Sequence, residues 1–305
     1  MEIRGLEKCP DRTIVVLGTF DGLHRGHQNL IKQGRDLATK KGARLALMTF
    51  NEHPETVLKA NAVQLLTTKT EKFRLLEKLG VEIVFIPSFY DLANYSAAQF
   101  FQETLLTKFG AVGAVVGTDF HFGKKAQGNS TLLSFLGRRN RIPIVISPVI
   151  KDNQSIISST LIRRFLHEGQ ILRANTLLGR RYSLAGEVII GEGRGRTLSM
   201  PTANLEVSRD KLIPACGVYL VEGFFEEKSA YGLLSISNKP TFRDDLDIAV
   251  EVYFMDFAGN LYGKEIKLEF IDYLRGIVKF NSALALRDQV ELDEKKARFI
   301  IKHYL

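Results

Sequence analysis

Along the first half of the chain, apolar residues come in short runs separated by stretches with helical spacing. Residues 14–17, 45–50, 81–86, 111–116 and 142–146 are such runs, with the length and continuity of strands buried on both faces. Between them, Leu30, Ile31, Leu37 and Ala38 mark one face of a helix, and Phe100, Phe101, Leu105 and Leu106 mark another. Strands alternating with helices predict an α/β fold with a mostly parallel, doubly wound sheet, which binds ligands at the carboxyl ends of its strands. The second half has a different character. Residues 187–190, 217–225, 232–236, 248–254 and 265–270 are strand-like and separated by Gly, Asn and Asp turns, as in residues 257–260, with no helical pattern between them. This predicts an antiparallel β-barrel or sandwich. The end of the chain reverts to a C-terminal helix, with Ser282 and Asp293 as expected N-caps. The seam falls in the helical stretch 171–178, giving domains 1–178 and 179–305.

A chain of 305 residues with 45% hydrophobic and 25% charged residues has ordinary globular composition and suits two domains. No apolar run approaches the length of a membrane span, and the longest candidate, residues 142–150, contains Pro143 and Pro148. The N-terminus lacks a charged-then-apolar signal pattern. Cys9 and Cys216 have no second Cys or His at ligand spacing, which argues against a disulfide framework or structural zinc and makes a cytoplasmic location the expectation. Net charge is 42 − 34 = +8. Residues 1–178 carry 24 Lys and Arg against 15 Asp and Glu, a net of +9, and residues 179–305 carry 18 against 19, a net of −1. A basic first half suits phosphate handling. A nucleic-acid-binding regulator is the reading from another class; the basic residues are scattered and form no dense arm, which disfavours it.

Residues 18–27 read Gly-Thr-Phe-Asp-Gly-Leu-His-Arg-Gly-His. A buried strand runs into a glycine-containing turn, and a helix opens near Gly26. Glycines let a backbone approach a ligand, and a helix N-terminus offers free N–H groups to an anion. His24 and His27, three residues apart, can both face that anion; a polar turn with two surface histidines is the other reading. In the second half, residues 186–204 contain a Gly-x-Gly-x-Gly piece without Rossmann spacing or a following helix, so a dinucleotide fingerprint is rejected. Thr202 and Asn204 by themselves read as a turn, and Glu251, between Val250 and Val252, as an outward-facing strand residue.

Taken together, these strings resemble a known family. The His-x-Gly-His turn is similar to the nucleotidyltransferase signature, and its longer form resembles the flavin adenylyltransferase domain of bacterial bifunctional riboflavin kinase/FMN adenylyltransferases, the FAD synthetases. Residues 49–54 (TFNEHP), 116–123 (VGTDFHFG) and 157–163 (ISSTLIR) resemble further motifs of that domain. Residues 186–204 with the PTAN string, 217–219, 240–242, 250–252 and 256–264 resemble the riboflavin kinase domain. The resemblance covers nearly the whole chain. It implies adenylation of FMN to FAD with release of pyrophosphate, and phosphorylation of riboflavin to FMN with release of ADP, with ATP as co-substrate and Mg²⁺ as cofactor.

The resemblance also implies roles for particular residues. At the first site the nucleophile is a phosphate oxygen already ionised at neutral pH, so positioning and charge stabilisation suffice. His24, His27 and Arg163 are implied there as catalytic residues. Gly18, Phe20, Gly26, Ser158, Ser159 and Thr160 are implied as ATP contacts, with Ser158 to Thr160 also suited to capping a helix. His53, Asp119 and Phe120 are implied as flavin contacts, Asp119 alternatively as a metal contact; Phe122 stands beside them as a flavin flank or a core residue. At the second site a hydroxyl must lose its proton, and Glu251 occupies the position of the base. Gly191 and Gly195 belong to the implied phosphate loop, Thr202 and Asn204 to the implied Mg²⁺ site, and Arg275 to the flavin site. Ser199, Ser237 and the Gly276-Ile277 pair depart from the family's usual residues. These departures touch neither PTAN nor Glu251, and they leave open a chain that adenylates FMN alone. Another His-x-Gly-His adenylyltransferase leaves the barrel unexplained, and a class I aminoacyl-tRNA synthetase lacks its lysine-rich loop here.

Overall fold

A computed structural model describes residues 1–52, 54–59, 63–153, 155–190, 201–238, 248–257 and 259–304. In chain order the first part contains β1 (Glu2–Arg4), β2 (Thr13–Leu17), α1 (Arg25–Lys41), β3 (Arg44–Met48), α2 (Pro54–Lys59), α3 (Lys69–Lys78), β4 (Ile83–Phe85), α4 (Phe89–Leu92), α5 (Ala97–Gln99), β5 (Ala111–Gly117), β6 (His121–Phe122), β7 (Gly128–Asn129), α6 (Ser130–Arg139), β8 (Ile144–Ser147), β9 (Lys151–Asp152) and β10 (Ser155–Ile156). Then come α7 (Ser159–His167) and α8 (Ile171–Leu178), followed by β11 (Ser183–Ile189), β12 (Thr202–Val207), β13 (Gly217–Phe225), β14 (Lys228–Asn238), β15 (Ile248–Phe254), β16 (Glu265–Arg275) and α9 (Ala283–Tyr304).

The predicted parallel sheet is present, with strand order β1-β4-β3-β2-β5-β8. Both faces are covered, which is why its strands read as continuous apolar runs. Ile14, Val16, Leu45, Leu47 and Val84 pack on Ile31 and Ala38 of α1 and Leu76 of α3. Their neighbours Val15, Leu17, Ala46, Met48, Ile83 and Phe85 pack on the other layer with Phe101, Leu105 and Leu133. The expected helix at residues 100–108 is wound with π-helical spacing and directly continues α5. From β2 the chain builds outward through β3 and β4, then crosses back to place β5 on the other side of β2. The reversal makes the carboxyl end of β2 the switch point of the sheet, and the turn 18–24 leaves from there.

The second half forms a closed antiparallel barrel of order β11-β12-β15-β14-β13-β16. Two expectations are corrected. Residues 202–207, including the PTAN threonine and asparagine, form strand β12 and not a turn. The strand follows from the alternation of Ala203 and Leu205, both buried, with Thr202, Asn204 and Glu206. Ser282 does cap α9, its Oγ accepting the Ala285 N–H at 3.2 Å. Asp293 caps nothing: it lies inside α9, only 5% exposed, because its carboxylate takes the Arg275 guanidinium at 2.8 Å and the Gln289 amide at 3.0 Å.

Contacts divide the chain into units 1–159 and 160–305, whereas the sequence places the seam after residue 178. Helix α8 contacts β16. Its Asn175 donates to the Phe270 carbonyl at 3.0 Å and accepts from the Tyr182 N–H at 2.7 Å, while the Leu166 carbonyl of α7 accepts from the Ala215 N–H. Among the described residues no helix is long and apolar enough to cross a membrane.

Candidate active sites

The first site is built by the turn between β2 and α1. Phe20, Gly22 and Leu23 all have left-handed backbone, with φ of 53°, 77° and 43°, an uncommon state for Phe and Leu. Asp21 holds the turn in that shape. Its buried carboxylate accepts from the N–H groups of Leu66 (3.0 Å) and Thr67 (3.1 Å) and from the Thr67 hydroxyl (3.3 Å). The Thr67 hydroxyl oxygen accepts from the Gly22 N–H at 3.1 Å. Replacing Asp21 with Ala leaves these buried donors without their acceptor, and is expected to destabilise the first unit by about 2–3 kcal/mol, read as a shift of the urea midpoint.

His24 caps α1: its Nδ1 accepts the His27 N–H at 3.3 Å, which places its ring proton on Nε2. The rings of His24 and His27 stack with centroids 3.7 Å apart and planes 17° apart, and Phe20 packs 5.1 Å from His27 on a tilted plane. A Cβ at Gly26 would meet the His24 ring at 3.0 Å, so the glycine between the histidines is what lets the ring lie across the helix start. Burial, then the neighbouring His24, then the Lys72 ammonium, hold the His27 imidazole well below the usual histidine range. His27 is therefore neutral at neutral pH, and its Nδ1 is buried with no hydrogen-bond partner among the described residues.

Other residues singled out by the sequence fall as follows. Gly18 follows β2 and donates its N–H to the Met48 carbonyl at 3.3 Å. Phe20 is fully buried, so its side chain forms a wall beside His27. Ser159, the first residue of α7, donates to the Asp21 carbonyl at 2.9 Å, which ties that serine to the histidine turn. Ser158 precedes α7, and Thr160 and Arg163 lie on that helix. Asp119 is exposed, its carbonyl accepting from His121 Nδ1 at 2.8 Å when that nitrogen carries the proton. Phe120 is half-buried and stacks 5.7 Å from Phe122, and both pack in the core around Phe100. His53, Gly191, Gly195 and Ser199 lie outside the described residues. A pocket beside the turn is lined by Thr19, Thr49, Phe50, Glu52, Thr67 and Lys72; the sequence reading missed Lys72, because only the fold carries α3 back to the turn.

The second site is a patch of cross-strand neighbours. On β12 and β15, Asn204 is directly opposite Glu251 and Thr202 opposite Tyr253. On β14, Ser235 stands opposite Glu251 on its other side. Directly paired side chains have Cβ atoms roughly 5 Å apart, so Asn204, Glu251 and Ser235 form a row of oxygen-bearing groups. Tyr253 and Leu233, the pair next along on the same face, pack with Val290, Ile300 and Ile301 of α9. Arg275, at the end of β16, is committed to Asp293 and lies over Phe280. Ser237 is half-buried near the end of β14, and Ile277 is 44% exposed just past β16.

The first unit thus carries a helix start with a stacked histidine pair at the switch point of a parallel sheet, and the barrel carries an amide–carboxylate row. Residues 6–161 match the FAD synthetase family model and residues 178–301 the riboflavin kinase model. The chain belongs to the bifunctional riboflavin kinase/FMN adenylyltransferase family and is an enzyme of flavin cofactor synthesis. It is 38% identical to the Listeria monocytogenes bifunctional riboflavin kinase/FMN adenylyltransferase over 93% of this chain and 91% of that one. With the Bacillus subtilis protein of the same description it shares 34% over 94% and 92%. A solved Streptococcus pneumoniae chain described as a macrolide-efflux protein superposes with a TM-score of 0.91 at 30% identity, covering 98% of this chain and 99% of that one.

Proposed function

We propose that the turn 18–27 runs the transfer of AMP from ATP to FMN, and that the Asn204–Glu251 row runs the transfer of phosphate from ATP to riboflavin. In the first reaction an FMN phosphate oxygen attacks the α-phosphorus of ATP, the new P–O bond gives FAD, and the bond to the β-phosphate breaks to release pyrophosphate. No proton has to be removed from the nucleophile, so the residues act by orientation and charge. His24 presents an Nε2–H and His27 a neutral ring at the head of α1, whose free N–H groups favour an anion. The buried His27 Nδ1 supports this reading, since a substrate group would complete its hydrogen bonding. Ser158 and Ser159, in the same unit as the turn, offer hydroxyls to the departing pyrophosphate.

In the second reaction the primary hydroxyl of riboflavin attacks the γ-phosphorus of ATP and its proton passes to Glu251, with ADP leaving. The observation that carries the assignment is the register that sets Glu251 between Asn204 and Ser235. The donor set fits Mg²⁺: Thr202 hydroxyl, Asn204 amide oxygen and a carboxylate are hard oxygen ligands. Among the described residues no three His, Cys, Asp or Glu side chains group to hold a metal, so Thr202 and Asn204 would hold the ion together with nucleotide phosphates and water. Bound Mg²⁺ would offset charge on the phosphates. The barrel's functional limits are proposed as residues 179–305, with 160–178 attached to it by packing. Incubation of the whole chain with riboflavin, ATP and Mg²⁺, followed by chromatography, tests the reading. FMN and then FAD are expected; supplied FMN turning to FAD while riboflavin persists would remove the kinase assignment.

A further inference from the structure

We propose that Lys72 is a positioning residue of the adenylyl-transfer site: its ammonium pins the Thr19 carbonyl, and with it the left-handed turn that sets Phe20 against His27, and holds a positive charge beside that imidazole. The inference rests on the reading that the turn 18–27 runs adenylyl transfer. Lys72 lies on α3, 53 residues beyond Thr19, and its Nζ donates to the Thr19 carbonyl at 3.1 Å. The same carbonyl accepts the Thr49 hydroxyl at 2.8 Å, so Thr49, just past β3, and Lys72 of α3 together grip the turn one residue before its first left-handed position. Phe20 then carries the geometry to the His27 ring.

A lysine with no carboxylate partner ordinarily extends its amine to water. Here the amine is drawn inward, and burial pulls its ionisation down, opposed by Asp21 and reinforced by Lys69. Among the described residues no carboxylate forms an ion pair with Lys72. Asp21, the nearby acid, is committed to the Leu66 and Thr67 N–H groups, and Lys69 donates to Asn51 at 2.7 Å. A half-buried ammonium bonded to the turn and lining the pocket that opens against Thr19 is the pattern of a functional group. The groups facing His27 are His24 from its own turn and Lys72 from α3, and both oppose its protonation.

The test uses the whole chain, with FAD formation from supplied FMN and ATP followed by chromatography, and riboflavin phosphorylation as an internal control of folding. Lys72→Met is expected to lower kcat for FAD formation by roughly 10-fold or more, with a smaller change in KM for FMN. The NMR titration of His27 should move up toward 6.5, and riboflavin phosphorylation should stay at the parent rate. Lys72→Arg keeps the charge and a donor, and should restore most of kcat and the parent titration. If Lys72→Met fails to fold, Lys72→Gln carries the same measurements. A parent chain that makes no FAD overturns the reading of the turn, and the proposal with it. A parent that makes FAD, with variants that match it in kcat or leave the His27 titration unmoved, overturns the Lys72 proposal alone.

Discussion

FAD formation by His27→Ala is expected to fall on the order of 100-fold or more, the typical effect of removing one preorganised donor from a charged transition state. Riboflavin phosphorylation should stay near the parent rate, because the Asn204–Glu251 row lies in the other unit. The substitution removes the ring stacked on His24 and packed by Phe20. The His27 N–H that caps onto His24 belongs to the backbone and is retained, so α1 keeps its start. The variant also carries a pH signature. The folded imidazole ionises well below 6.5, the unfolded one near 6.5. The unfolded chain therefore takes up a proton that the folded chain refuses, and this part of the stability is present above 6.5 and lost as pH falls. His27→Ala should flatten the fall of stability below about pH 6.5, measured by urea unfolding across pH. Near-normal FAD synthesis in this variant would remove His27 from the site.

Glu251→Gln should lower riboflavin phosphorylation on the order of 100-fold while supplied FMN is still adenylated. Gln keeps the size of the side chain and its place between Asn204 and Ser235, so the ladder is undisturbed. What disappears is the carboxylate proposed to receive the hydroxyl proton. The contrast with His27→Ala makes the two variants a reciprocal pair: each is expected to stop one product peak and leave the other. A Glu251→Gln chain that phosphorylates riboflavin at the parent rate shows that the proton leaves by another route.

Much of this architecture was legible in the chain itself. The continuous apolar runs at β2, β3 and β5 foretold a sheet covered on both faces, and the string at 18–27 foretold a helix head with two histidines. Strand β12 was hidden because Pro201, Thr202 and Asn204 carry the chemistry of a turn, and closure of the barrel against β11 and β15 overrides that local preference. Asp293 resembled a cap because its partner, Arg275, is 18 residues away in sequence. Lys72 had no signal at all: its meaning comes from a hydrogen bond to a residue on a different element. Sequence periodicity reports which face a residue takes, and it is silent on which distant group that face will meet.

If the Asn204–Glu251 row is the kinase site, its pairing makes strand register part of the proposed chemistry. Side chains alternate faces along a strand, so a slip of β12 by a single residue would set Ala203 beside Glu251 and turn the amide to the opposite side. What forbids the slip is not the polar row itself but the residues behind it. Ala203, Leu205, Val250 and Val252 are buried on the reverse face, and a closed barrel leaves no edge along which a strand can shift. The proposed kinase row is thus inherited from the fidelity of folding: buried apolar side chains behind it decide whether the amide and the carboxylate face each other. Selection on flavin phosphorylation would act on those hidden positions as firmly as on the visible pair.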